Sequence, residues 1–176
     1  INESRDSLIC VLKGKQKIEE FCSKYDISMG KKSSDIKIPK MIWNAPIESV
    51  SAFIQMAFDA EGDVNIKKVE HGYDNVVINF STCSKQFAYG IQALLLKFGI
   101  DSHVYTFDKE KQNHNTMYRV SIINGMAMKY AELIGFSISR KQAVLTSANV
   151  NIENGLTYPK IFSNHLKNTI PNGSKW

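Results

Sequence analysis

Residues 47–66 read IESVSAFIQMAFDAEGDVNI. Apolar side chains recur at Ile47, Val50, Phe53, Ile54, Ala57 and Phe58, the spacing of one helical face. Pro46 stands at a first helical position, with Asn44 upstream as a candidate cap. Gly62 stops the helix, and DVNIKKVE (63–70) alternates as a strand does. Asp59 and Glu61 therefore fall in the last turn. Carboxylates there oppose the helix macrodipole, so their placement favours a functional reading over a plain helix end.

The pattern continues downstream. HGYDN is a turn, and NVVINFST (75–82) is a second alternating strand. SKQFAYGIQALLLKFG (84–99) predicts a helix with Ser84 as its cap and Gly99 at its end. DSHVYTFD (101–108) and TMYRVSII (116–123) predict two more strands around a polar tip, KEKQNHN. GMAMKYAELIG (125–135) and RKQAVLTSA (140–148) predict the closing helices. The order αββαββα with hairpin-paired strands predicts an α+β fold: a four-stranded antiparallel sheet with helices on one face. The other face then meets water or a ligand. Strand parity puts Asn65, Lys67, Asn79, Ser81, Arg119 and Ser121 there. Parity is open in the third strand, where His103 and Tyr105 are weaker candidates. An ordinary solvated face explains the pattern equally well, but a twisted ribbon with these side chains can also enter a DNA major groove and bond to base edges and phosphates.

The 176 residues are enough for a domain with a real core, and 43% hydrophobic against 22% charged content fits a soluble globular chain. No apolar run approaches the roughly 18 residues of a membrane span, and no secretory signal is visible. Cys10, Cys22 and Cys83 are scattered, which fits reduced thiols in an intracellular, cytoplasmic protein and argues against zinc. The chain opens on Ile1, as a processed product or an internal fragment would. A net charge of +5 and a pI near 9.0 allow a polyanionic partner.

An internal likeness adds a second clue. SLICVLKGKQKIEEFCSKYDISMGKK (7–32) parallels YRVSIINGMAMKYAELIGFSISRK (118–141), with Phe21 against Tyr130, Ile27 against Phe136 and Lys31-Lys32 against Arg140-Lys141. Residues 1–32 thus read as the last strand and helix of a first repeat copy. Residues 33–46 read as a linker, 47–148 as a complete unit, and 149–176 as a C-terminal extension.

AFIQMAFDAEGDV, with IPKMIWNAP before it and KYAELIGFSISRKQAVL after it, resembles the signature and flanking segments of LAGLIDADG homing endonucleases, especially the intein-encoded type. The resemblance covers roughly residues 8–148. It implies a pair of units packed through their signature helices, as a homodimer or with a missing N-terminal half. It also implies four-stranded saddles on double-stranded DNA and hydrolysis that leaves a staggered double-strand break. Magnesium or another divalent metal would be the cofactor. Glu61 matches the metal-binding catalytic acid, and Asp59 the earlier acid that ties the two helices together. Ala52, Met56 and Ala60 fall on the helix–helix contact row. Lys141, and Lys32 from the first copy, match the basic residue of the active site. Arg140 beside Lys141 joins the sheet residues as a DNA contact. One departure stands out: Met56 occupies a position where the family usually has a small residue. A degenerate DNA- or RNA-binding relative such as an intron maturase, or a small oligomerising domain with an incidental basic face, are the alternative readings.

Overall fold

The computed structural model describes residues 2–4, 7–9, 14–27, 33–107 and 116–151. Lys31, Lys32, the 109–115 tip and the tail from 152 onward lie outside the described residues. A short hairpin, β1 (Asn2–Ser4) and β2 (Ser7–Ile9), precedes α1 (Lys15–Lys24). Then follow α2 (Lys40–Trp43), α3 (Ile47–Glu61), β3 (Gly62–Lys67), β4 (Asn75–Thr82), α4 (Lys85–Leu96), β5 (His103–Phe107), β6 (Met117–Ile123), α5 (Asn124–Leu133) and α6 (Ser139–Thr146). From α3 onward this is the expected αββαββα order with one further helix. The four strands form an antiparallel sheet in the order β3-β4-β6-β5.

Alternation decides which face is core. Val76, Ile78, Phe80, Val120 and Ile122 point to one side and are buried. Against them pack Val50, Ile54 and Phe58 of α3, Ile91, Leu94 and Leu95 of α4, and Ala127 and Tyr130 of α5. Removal of this apolar surface from water is the main force holding the unit together. Ser84 caps α4, its hydroxyl accepting from the Phe87 amide at 3.1 Å. Asn44 makes no such bond, and α3 starts after Pro46.

Residues 33–46 read as a linker, yet part of this stretch docks on the unit. Ile38 is buried against Gly90, where an added Cβ would come within 2.4 Å of the isoleucine side chain. The Ser84 hydroxyl donates to the Ile36 carbonyl at 2.5 Å, and Lys97 Nζ donates to the Trp43 carbonyl at 2.5 Å. By contrast, α1 buries none of its residues, and its Phe21 ring lies tilted against that of Tyr25 just past the helix, with ring centres 4.7 Å apart. Tyr130, the counterpart of Phe21 in the internal likeness, is fully buried.

A second tie secures the far end of the β3–β4 hairpin. Buried Asp74 accepts from Lys68 Nζ and from the Asn149 amide, both at 2.8 Å, and its own amide donates to the Asn149 carbonyl at 2.7 Å. The Lys68 hydrogen bond, then the backbone bond from Asn149, hold the Asp74 carboxyl below its ordinary 3.8. A carboxyl lowered on folding stabilises the protein fully above its unfolded value, and that stabilisation is lost as pH falls through the folded value. Asp74→Asn is therefore expected to lower the urea midpoint at pH 7 and to flatten the decline below about pH 4. Urea titrations of both proteins between pH 7 and 3 check this, and parallel declines would refute it.

Candidate active site and nucleic-acid face

The site is built where α3 runs into β3. Gly62 ends the helix in extended backbone, with its amide donating to the Phe58 carbonyl. A Cβ on Gly62 would meet that oxygen at 2.4 Å, so the tight helix-to-strand junction needs glycine. Glu61 sits on the exposed side of this junction and makes no hydrogen bond or ion pair among the described residues.

Asp59 points the other way. It is only 8% exposed, and its Oδ2 accepts from the Ser137 hydroxyl at 2.5 Å and the Ser137 amide at 3.2 Å. Within this unit the carboxylate ties α3 to the turn before α6. Asp59 Oδ1 and the Tyr130 hydroxyl are both buried with no hydrogen-bond partner among the described residues. Burial, and then the Asp59 charge, push the Tyr130 phenol well above its ordinary range.

Lys141 closes the same junction. Its Nζ donates to the carbonyls of Phe58 at 3.0 Å, Asp59 at 2.7 Å and Gly62 at 2.6 Å. It also lies 5.6 Å from the centre of the Phe136 ring. Burial lowers its ammonium below the ordinary lysine range, while Asp59, Asp63 and Glu61 pull it back up. Arg140 beside it is exposed.

The remaining face of α3 carries Ala52, Met56 and Ala60, all exposed, with Met56 at 64%. Flanking this row, Gln55 donates to the Ile134 carbonyl at 2.8 Å and Ser51 to the Leu133 carbonyl at 3.3 Å, which fixes the helix on α5.

The sheet face opposite the core is polar, as parity indicated. Register completes it: His103 pairs with Ser121, Tyr105 with Arg119 and Phe107 with Met117, so the open parity of the third strand resolves onto this face. Asn65, Lys67 and Arg140 are exposed, and Ser81 is half-buried. Asn79 and Ser121 are not solvated, contrary to expectation. The Ser121 hydroxyl donates to Asn79 Oδ1 at 2.7 Å, and Asn79 Nδ2 donates to Asp63 at 3.2 Å, so both ends of the Asn79 amide are engaged. Asp63, which also accepts from Asn65, was missed by sequence reasoning although it shares the parity of Asn65. Arg119 lies over the Phe107 ring, its guanidinium carbon 4.8 Å from the ring centre, and its Nε is buried with no partner among the described residues.

A profile of the LAGLIDADG-like domain matches residues 48–135, half of the chain. The chain belongs to the LAGLIDADG-like domain family. The LAGLIDADG match starts one residue into α3 and ends just past α5, so it takes in the helix end, the sheet and the polar face. Relatives lie inside larger proteins. A probable translation initiation factor IF-2 of Methanocaldococcus jannaschii is 34% identical over 136 residues, 77% of this chain and 11% of that protein. Another, from Thermococcus kodakarensis, is 29% identical over 73% of this chain and 10% of its own length. A DNA gyrase subunit of Mycobacterium gordonae is 30% identical over 66% of this chain and 20% of its own length. The chain thus spans a small part, about a tenth to a fifth, of these relatives. Among the described residues no helix is long and apolar enough to cross a membrane.

Proposed function

We propose that this LAGLIDADG chain is one unit of a homing endonuclease that cuts double-stranded DNA with a divalent metal, magnesium by preference. The observation that carries the reading is the exposed Glu61 carboxylate at the end of α3, with no hydrogen bond or ion pair among the described residues, beside the exposed row Ala52, Met56 and Ala60. A second LAGLIDADG helix on that row would bring a second carboxylate next to Glu61. The partner unit is a second copy of this chain or a unit elsewhere in the parent protein. In the second case residues 1–32 are the last strand and helix of a first copy, and 47–148 the complete second unit. Segments like this one inside an initiation factor and a gyrase subunit, proteins of unrelated function, support an inserted module of the intein type.

The donor chemistry fits the metal in part. Glu61 offers a hard oxygen donor of the kind magnesium takes. Among the described residues no cluster of three or more His, Cys, Asp or Glu is present, and in this reading the second unit supplies the further donors. Magnesium, when bound, supplies positive charge that stabilises phosphoryl transfer. The chain's own residues orient the rest: Gly62 permits the tight turn that exposes Glu61, and the Asp59–Ser137 pair holds the helix end.

Asn65, Lys67, Ser81 and Arg119 on the sheet, with Arg140 on α6, are the DNA contacts. Asn79, Ser121 and Asp63 form the scaffold that sets them. Arg119, stacked on Phe107, is suited to read guanine through its two terminal nitrogens. Arg119→Ala is expected to weaken binding to the preferred duplex by about 1–3 kcal/mol and to relax preference at one base pair. Binding selection with both proteins checks this, and a uniform loss across sequences would make Arg119 a phosphate contact.

Duplex affinity measured between 50 and 200 mM salt tests the polyanion reading itself. A steep fall, about one decade in affinity per decade of salt for each phosphate neutralised, is expected. A salt-independent affinity, or none at low salt, would contradict it. A DNA- or RNA-binding relative without cleavage is the second reading, favoured by bulky Met56 in the middle of the contact row.

A further inference from the structure

We infer that Lys141 is a positioning residue: its ammonium caps the C-terminus of α3 and thereby fixes where the Glu61 carboxylate stands. The inference rests on the reading of Glu61 as the metal-binding acid and departs from the expectation that Lys141 acts on the reacting groups.

The last carbonyls of a helix have no partners within it, and the macrodipole makes that end negative. In α3 the problem is severe. Asp59 and Glu61 add two carboxylates to this end, and the last turn holds no basic residue. Lys141 supplies the missing charge from 79 to 83 residues away in sequence. An ammonium has three hydrogens, and the three carbonyls of Phe58, Asp59 and Gly62 account for all of them. Two of those carbonyls lie before Glu61 and one after it. The clamp therefore brackets residues 60 and 61 and closes the helix-to-strand junction around them. The Asp59–Ser137 pair, at the same end of α3, docks the turn before α6, and Gln142 Oε1 secures that turn by accepting from the Phe136 amide at 2.9 Å. With its hydrogens committed and its ammonium part-buried, Lys141 has no donor left for water or phosphate.

Two readouts on the full chain test this. Hydrogen exchange without metal or DNA is the first. Lys141→Met is expected to speed exchange at the amides of residues 61–63 by about tenfold or more, leaving the β4 core amides unchanged. Lys141→Gln, which keeps N–H donors, is expected to restore part of the protection. The second readout is metal-titrated cleavage. Lys141→Met should raise the half-saturating magnesium by about 10–100-fold, the usual effect of losing a residue that orients a ligand, with only a small loss of rate at saturating metal. Unchanged exchange at 61–63, or a lost rate with unchanged half-saturating magnesium, would overturn the positioning role. If Lys141→Met does not fold, Lys141→Gln carries both measurements, and wild-type-like values in both would also overturn it. Raised exchange without cleavage by the wild type would count against the nuclease reading while supporting the cap.

Discussion

Glu61→Gln is expected to reduce metal-dependent strand cleavage by about a thousandfold or more while leaving duplex affinity nearly unchanged. The substitution keeps shape and removes charge. Because Glu61 makes no hydrogen bond or ion pair among the described residues, neutralising it leaves no buried partner unsatisfied. The fold should not register the change. A hard divalent cation loses a charged oxygen donor, and transition-state stabilisation by a metal is worth several kcal/mol, where each ~1.4 kcal/mol is tenfold in rate. Single-turnover cleavage and fluorescence anisotropy on one duplex, at one salt concentration, separate the two quantities. Equal losses in both would move Glu61 from metal ligand to DNA contact.

Phe58→Ala is the largest expected effect on stability, about 3–5 kcal/mol. The ring is fully buried and lies 5.3 Å from Phe80 and 5.1 Å from Tyr130, so it joins helix α3 to both the sheet and α5. Aromatic pairs of this geometry add to plain burial. For a chain of this size each kcal/mol shifts Tm by about 2–4 °C, so a fall on the order of 10 °C is expected in a thermal melt. The effect should reach the site as well, because the Phe58 carbonyl is one of the three that Lys141 holds. A loss below about 1 kcal/mol would show that the three aromatic rings are not the centre of the core.

Local features were legible in the sequence because local physics sets them. The period of 3.6 in 47–61, the alternation in 75–82 and the Ser84 cap each depend on neighbours within a few residues, and the fold follows from their order. The place of Glu61 was legible for the same reason: helix phase and Gly62 put it in the last turn. Features that depend on distant residues were not. His103 and Tyr105 could not be assigned a face, since both parities of HVYTF mix apolar and polar groups, and the pairing of Tyr105 with Arg119 decides it. The partners of Asp59 and Lys141 lie 78 to 83 residues away, so helix-local reasoning could not name them. Asn79 and Ser121 have the parity of a wet face. Cross-strand register pairs them with each other, and Asn79 also with Asp63, and their mutual bonds take them out of water. The docking of Ile38 on Gly90 has no local signal, because a glycine in a helix reads as a weakness until its neighbour is known.

The most direct test of the central claim is cleavage of a randomised duplex library by this chain in magnesium, across a range of protein concentration, with the cut ends sequenced. Staggered ends at a recurring site that vanish with a chelator and increase as two units associate are the expected result. No metal-dependent ends at any concentration, with salt-sensitive duplex binding retained, would contradict the nuclease and leave a LAGLIDADG chain that binds DNA without cutting it.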